Sequence, residues 1–185
     1  MMKLTAYMPD IDWKFVETLK DTDNIQVVEN RFGIKFPKDF IDIVRKFNHG
    51  TASPGTFDTE HLKGRSFGQL LDFNLENTYN IISEYELIQD RLPPKVYSFS
   101  GDAGGNYLCF DYRKSDSNPQ VFFWDHEQKF EIEDDELIVE DRENAYEQHY
   151  IEFVADSFTE LLNILYEPEG DDDDDEDAEI LFDGS

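Results

Sequence analysis

The sequence predicts an α+β fold: a single domain with N-terminal helices, a central, largely antiparallel sheet, and a C-terminal helix packed on that sheet. Three observations predict it. Apolar residues recur at helical spacing through residues 13–47, short strand-length runs bounded by turn residues follow Gly50, and helical spacing returns at 158–165. No repeat of fixed period is visible, which argues against solenoids and propellers.

Trp13, Phe15, Val16 and Leu19 follow Asp12, a suitable N-cap, and predict a first helix that ends in the polar stretch 21–24. A second helix is expected over 25–32. There Ile25, Val28 and Phe32 form one stripe, Asn24 caps the start and Gly33 supplies a left-handed C-terminal cap. Pro37 suits the first turn of a third helix, Asp39 complements its dipole, and Phe40, Val44 and Phe47 repeat on one face until Asn48, His49 and Gly50 end it. A strand is expected at 69–73 and a short helix at 77–86. Residues 96–100, 107–112 and 121–124, joined by the glycine-rich turn 101–106 and a polar segment, read as an antiparallel meander. Within 130–150, Leu137 to Val139 suits a strand, whereas 141–149 reads equally as helix or loop. Ser157 and Glu160 have capping-box spacing, and Phe158, Leu161, Leu162 and Leu165 make the stripe of the last helix. On the third meander strand Phe122 and Trp124 point away from Phe123. Helices on both faces of the sheet would bury all three, and one open face would leave an aromatic patch.

A chain of 185 residues with 39% hydrophobic content and sixteen Phe can bury one sizeable core. The folded domain is expected over residues 1–166, followed by an acidic, disordered tail over 167–185 in which Ile180, Leu181 and Phe182 form a small apolar island. No run approaches the ~20 apolar residues of a membrane span, no signal peptide is evident, and the lone Cys109 fits a reducing compartment, so a cytoplasmic location is expected. Charge sets the class of partner. There are 43 acidic against 16 basic residues, and because eleven of the acids and no base lie after Tyr166, the body itself carries 32 against 16. Such a surface repels phosphate backbones and attracts cationic proteins, which disfavours nucleic acid as a direct ligand.

No catalytic or cofactor motif emerges. The turn 101–105 lacks the P-loop lysine and opens no helix, so it reads as a turn. His49, His61, His126 and His149 lack the short spacings of zinc ligands, and the tail lacks the alternating pattern of a calcium loop. Cys109, between Leu108 and Phe110, reads as a buried structural thiol. No metal, cofactor or catalytic residue is assigned.

Four blocks, in order, carry a resemblance. Phe32, Gly33, Ile34, Lys35, Phe36 and Pro37 lead into Lys38, Asp39 and Phe40, and the helix closes on Phe47, Asn48, His49 and Gly50. Gly101 to Asn106 precede Tyr107, Leu108, Cys109, Phe110 and Asp111. Val121, Phe122, Phe123, Trp124 and Asp125 follow, and Phe153 to Leu162 close the series. This pattern resembles the SUKH superfamily (Smi/Knr type), with His49 where that signature has a second glycine. The resemblance implies an α+β fold with helices around a central sheet and no catalytic residues. Most bacterial members resemble immunity proteins encoded beside polymorphic toxins, often nucleases. The expectation is therefore an antitoxin that binds a cationic protein toxin in the cytoplasm. The alternative is an intracellular scaffold or regulatory domain, as in fungal members. Candidate contacts are Asp102, Asp125 and Glu127 near loop ends, with Asp171, Asp172, Asp173, Asp174, Asp175 and Asp177 of the tail adding long-range attraction.

Overall fold

The computed structural model describes residues 10–127 and 151–169. The readings of 130–150 and of the tail aspartates lie outside them. Two of the expected helices form where the apolar stripes place them. α1 (Asp23–Phe32) buries Ile25 and Val28, and Gly33 ends it at φ 70°, where a Cβ would be strained, while Ile34 N reaches back to Glu29 O at 3.1 Å. The Glu29 carboxylate accepts from Phe36 N at 2.9 Å and from Lys35 Nζ at 2.6 Å, which shapes the turn into α2 (Lys38–Phe47). α2 buries Phe40, Ile41 and Val44.

The expected first helix does not form. Residues Asp12–Lys14 are instead β1, an edge strand paired antiparallel with β2 (Thr51–Ser53). Trp13 stacks on Phe47 with ring centroids 5.8 Å apart, while Phe15 turns the chain at φ 55° and stands exposed, so the apolar stripe has no helical continuation. Glycine at position 50 permits this approach, because a Cβ there would stand 3.2 Å from both Trp13 and Val16. The expected Asn24 cap is also replaced. Thr22 holds the N-cap position without a side-chain bond, and the Asn24 amide donates to Phe73 O at 2.9 Å.

After α2 come β3 (Thr56–Phe57) and β4 (Arg65–Ser66), a separate two-stranded pair, and then β5 (Gln69–Leu70). The expected strand at 69–73 is thus cut short, since Asp72, Phe73 and Asn74 turn into a buried polar cluster. α3 (Ile81–Ile88) starts later than expected because Asn80 and Ser83 form a capping box at its N-terminus. The meander is present as β6 (Val96–Gly101), β7 (Tyr107–Asp111) and β8 (Gln120–Trp124), and β9 (Glu152–Ala155) pairs with β8. The seven-stranded sheet has the order β1-β2-β5-β6-β7-β8-β9 with every neighbour antiparallel. α4 (Phe158–Ile164) follows, and just beyond it Tyr166 pairs antiparallel with Thr56 of β3. Ser157 caps α4 by accepting from Glu160 N, but Glu160 returns the bond to Asp156 N, one residue upstream of a reciprocal box.

Strand alternation divides the sheet into two buried faces. On one, Leu108 and Phe110 of β7 and Val121 and Phe123 of β8 meet Ile25, Val28, Phe40, Val44, Phe158 and Leu161 from α1, α2 and α4. On the other, Cys109 and Trp124 join Val96, Ile88 and Leu92 beneath α3 and the turn that follows it. Helices therefore cover both faces, but incompletely. Phe123 and Trp124 are buried, whereas Phe122 is half-buried beside the exposed Phe153, their rings 5.8 Å apart.

Phe40 is the hub of the larger core, ringed by Phe36, Phe73, Phe99, Phe110 and Phe158 at centroid distances from 5.1 to 6.1 Å. Phe40→Ala is expected to cost about 3–5 kcal/mol, and Val27→Ala on the exposed side of α1 less than about 0.5, both read from urea unfolding.

Candidate partner-binding surface

The β6–β7 turn is built by its own polar side chains. Asp102 N donates to Asn106 O at 3.0 Å, and the Asp102 carboxylate accepts from Asn106 N and Asn106 Nδ2, each at 2.9 Å. Asn106 is itself buried, and its Oδ1 accepts from His126 N at 3.1 Å, which fastens the turn to the end of β8. Asp125 follows Trp124 directly. Its Oδ1 accepts from Glu127 N at 2.9 Å, and its Oδ2 stands 3.7 Å from the Arg65 guanidinium.

Through Asn106, the fold brings together the three candidate residues of the body, Asp102, Asp125 and Glu127, at one end of the meander. They are not equivalent there. The Asp125 side chain is only 9% exposed and Asp102 spans its turn, so both carboxylates build the loops. Glu127 is 82% exposed, facing solvent beside His126 at 3.7 Å. The tail candidates, Asp171, Asp172, Asp173, Asp174, Asp175 and Asp177, lie outside the described residues.

Sequence reasoning missed two members of this surface. Arg65 balances Asp125 from a strand 60 positions away, and Asn106, visible in the sequence only as the last residue of the glycine-rich turn, joins two loops; each role exists only through pairing across the sheet. The exposed Phe153, with Phe122 and the Arg113 guanidinium 6.0 Å from the Phe122 ring centroid, adds an apolar and cationic strip farther along β8 and β9. Arg113 is held by a bidentate contact to Asp111 at 2.7 to 3.0 Å, whose hydrogen bonds raise its pKa.

Other reactive groups are committed elsewhere. Burial pushes the Cys109 thiol well above the ordinary thiol range, which keeps it protonated and unreactive at neutral pH. The Thr59 hydroxyl donates to the buried Glu152 carboxylate and accepts from Leu62 N, holding the loop between β3 and β4. A shallow depression of about 370 Å³ beside them is lined by Asp58, Glu60 and His61. Among the described residues, no helix is long and apolar enough to cross a membrane.

Helices on both faces of an antiparallel sheet define an α+β domain. Residues 21–164 match the SMI1 / KNR4 family (SUKH-1), and the chain belongs to that family. Among curated proteins, none matches it. The matched span runs from the start of α1 through α4, so it takes in every strand of the sheet except β1, together with the turn that Asp102 and Asn106 organise.

Asn106→Ala removes the amide that donates to Asp102 and accepts from His126. It is expected to cost about 1–3 kcal/mol in thermal unfolding and to shift the backbone amide resonances of Asp102 and His126 together.

Proposed function

We propose that this chain is an immunity protein that binds and neutralises a basic protein toxin, with a nuclease the best fit to an acidic surface. The observation that carries the reading is the imbalance of free charge. The described residues contain 25 acidic and 13 basic side chains, and eight of the basic ones are already engaged in ion pairs. A cationic approaching protein meets a net attractive field, while an anionic one is repelled.

Family membership supports a role in binding another protein, and the loop ends supply rigid positions for it. In this reading Glu127 contacts the toxin directly, Asp102 and Asp125 hold the presenting loops, and the tail aspartates extend the field. Affinity comes from apolar side chains that the partner dehydrates, with Phe153 and Phe122 as anchors. Steering and affinity are then separable: charges at the rim set how fast the complex forms, and apolar anchors set how slowly it parts.

The experiment is capture of the product of the adjacent open reading frame by the tagged full-length chain, followed by kinetics over a range of salt. Association is expected to fall steeply as salt rises, and Glu127→Gln is expected to slow it about threefold at low ionic strength with little change in dissociation. Association indifferent to salt would refute the steering mechanism. Capture of a host regulatory protein, with no toxin bound, would favour the scaffold role instead.

A further inference from the structure

Glu17, His49 and Asp72 are scattered in the chain, and spacing alone gives no reason to join them. The fold does join them. Glu17 follows β1, with its backbone N donating to Asn48 O at 2.9 Å; His49 lies just beyond α2; Asp72 leaves the end of β5. His49 Nδ1 stands 3.7 Å from Glu17 Oε1 and 4.0 Å from Asp72 Oδ2, and the three donor atoms all lie within 4.8 Å of one another.

Neither separation is a hydrogen bond. Yet His49 Nδ1 is closed off from solvent and has no hydrogen-bond partner among the described residues, an expensive condition for a ring nitrogen. Both groups that face it are carboxylates, and one nitrogen with two oxygens is a donor set that suits a cation. Ligands about 2.1 Å from a common ion stand about 3.4 Å apart at the tetrahedral angle, so separations of 3.7 and 4.0 Å are somewhat wider than a closed shell and the ligands must draw in to bind. Glu17 is about half exposed, so its carboxylate is free to close the remaining gap.

Asp72 is prepared for this role. Its side chain is 1% exposed, with Oδ1 held by Asn48 Nδ2 and Asn74 N and Oδ2 by Asn77 Nδ2 at 2.6 Å. A carboxylate oxygen has two lone pairs, so Oδ2 keeps acceptor capacity beyond its bond to Asn77. Amides that fix a carboxylate in this way are the usual supports of a metal ligand. Lys20, whose charge senses both Glu17 and Asp72, is itself taken up by Glu76 at 2.8 Å.

We propose that Glu17, His49 and Asp72 form a binding site for one first-row divalent cation of the zinc class, with His49 Nδ1 and an oxygen from each carboxylate as protein ligands. An imidazole ligand favours zinc, nickel or cobalt over magnesium and calcium, which prefer all-oxygen shells. Two carboxylates and an imidazole leave a position for water, as in zinc sites with three protein ligands.

His49 also provides a clean test, since it sits at φ 60°, where glycine is unstrained, and His49→Gly preserves the backbone. The full-length chain is titrated with zinc chloride by calorimetry, alongside His49→Gly and Glu17→Gln, with thermal unfolding followed with and without the metal. Wild type is expected to show one saturable site of micromolar order and a rise in Tm with zinc. His49→Gly is expected to lose that site and the rise, and Glu17→Gln, an exposed change that leaves the fold intact, to weaken binding about tenfold. Equal zinc uptake by wild type and His49→Gly would assign the binding to the acidic surface at large and overturn the proposal. Absence of saturable binding below about 1 mM zinc in wild type would overturn it too.

Discussion

Asp72 is almost inaccessible to water, and a carboxylate in such a place is tolerated only when protein donors replace the solvent it has lost. Three donors do so. Asn48 and Asn74 N serve one oxygen and Asn77 the other, at 2.6 to 2.8 Å. The same residues then reach outward: Asn48 Oδ1 accepts from Phe73 N, Asn74 Oδ1 from Lys20 N, and Asn74 Nδ2 donates to Thr18 O. Asp72 O accepts from Ile81 N at the start of α3. One buried cluster thus ties the end of α2, the N-terminal segment and the approach to α3. Loss of any member would strand a polar group away from water, a larger cost than the bond itself.

That cluster explains how three layers are held in register around a thin sheet. Hydrophobic burial drives α1, α2 and α4 onto one face and α3 onto the other, but it is non-directional and leaves relative position loosely set. Directional bonds remove the freedom. Asp39 of α2 accepts from Thr159 N and Oγ1 at 2.9 and 2.7 Å, locking α2 to α4, and Tyr97 OH donates to Phe32 O at 3.1 Å, locking α1 to β6. The loops at the sheet end inherit this rigidity through Asn106. In the proposed binding role, a carboxylate presented there would need little further ordering on contact, which would lower the entropic cost of binding.

Elements governed by local chemistry were legible in the sequence, and those governed by distant partners were not. The stripe of α2 and the glycine after α1 speak through neighbours three and four residues away, and both appear where expected. Trp13, Val16 and Leu19 carry a similar stripe, yet their segment pairs with β2 and packs on Phe47, residues more than thirty positions on. Asn24 looks like a cap and instead serves a carbonyl 49 positions away. The candidate surface divides in the same manner. Asp102, Asp125 and Glu127 were visible as acids beside turns, but only sheet pairing makes them neighbours, and only Asn106 and Arg65 decide which of them remains free. Glu17, His49 and Asp72 meet solely because β1, the end of α2 and the end of β5 converge.

Composition conceals a further distinction, between acids that build and acids that project. Asp39, Asp72, Asp102, Asp111 and Asp125, with Glu29, all accept backbone N–H groups, so they do the work of caps and turn closures. Their charge is largely spent on internal donors or on a paired base, and removing one would be felt first as lost stability. Glu127 has no such duty beyond its backbone, and its charge reaches solvent undiminished. A formal charge of -27 therefore overstates what a partner senses at any one point, because part of that count is structural. The long-range field depends on the whole sum, whereas recognition at short range depends on the few carboxylates that the fold leaves unspent. Acids that hold loops and acids that face solvent are thus different members of the same residue class, and their hydrogen bonds tell them apart.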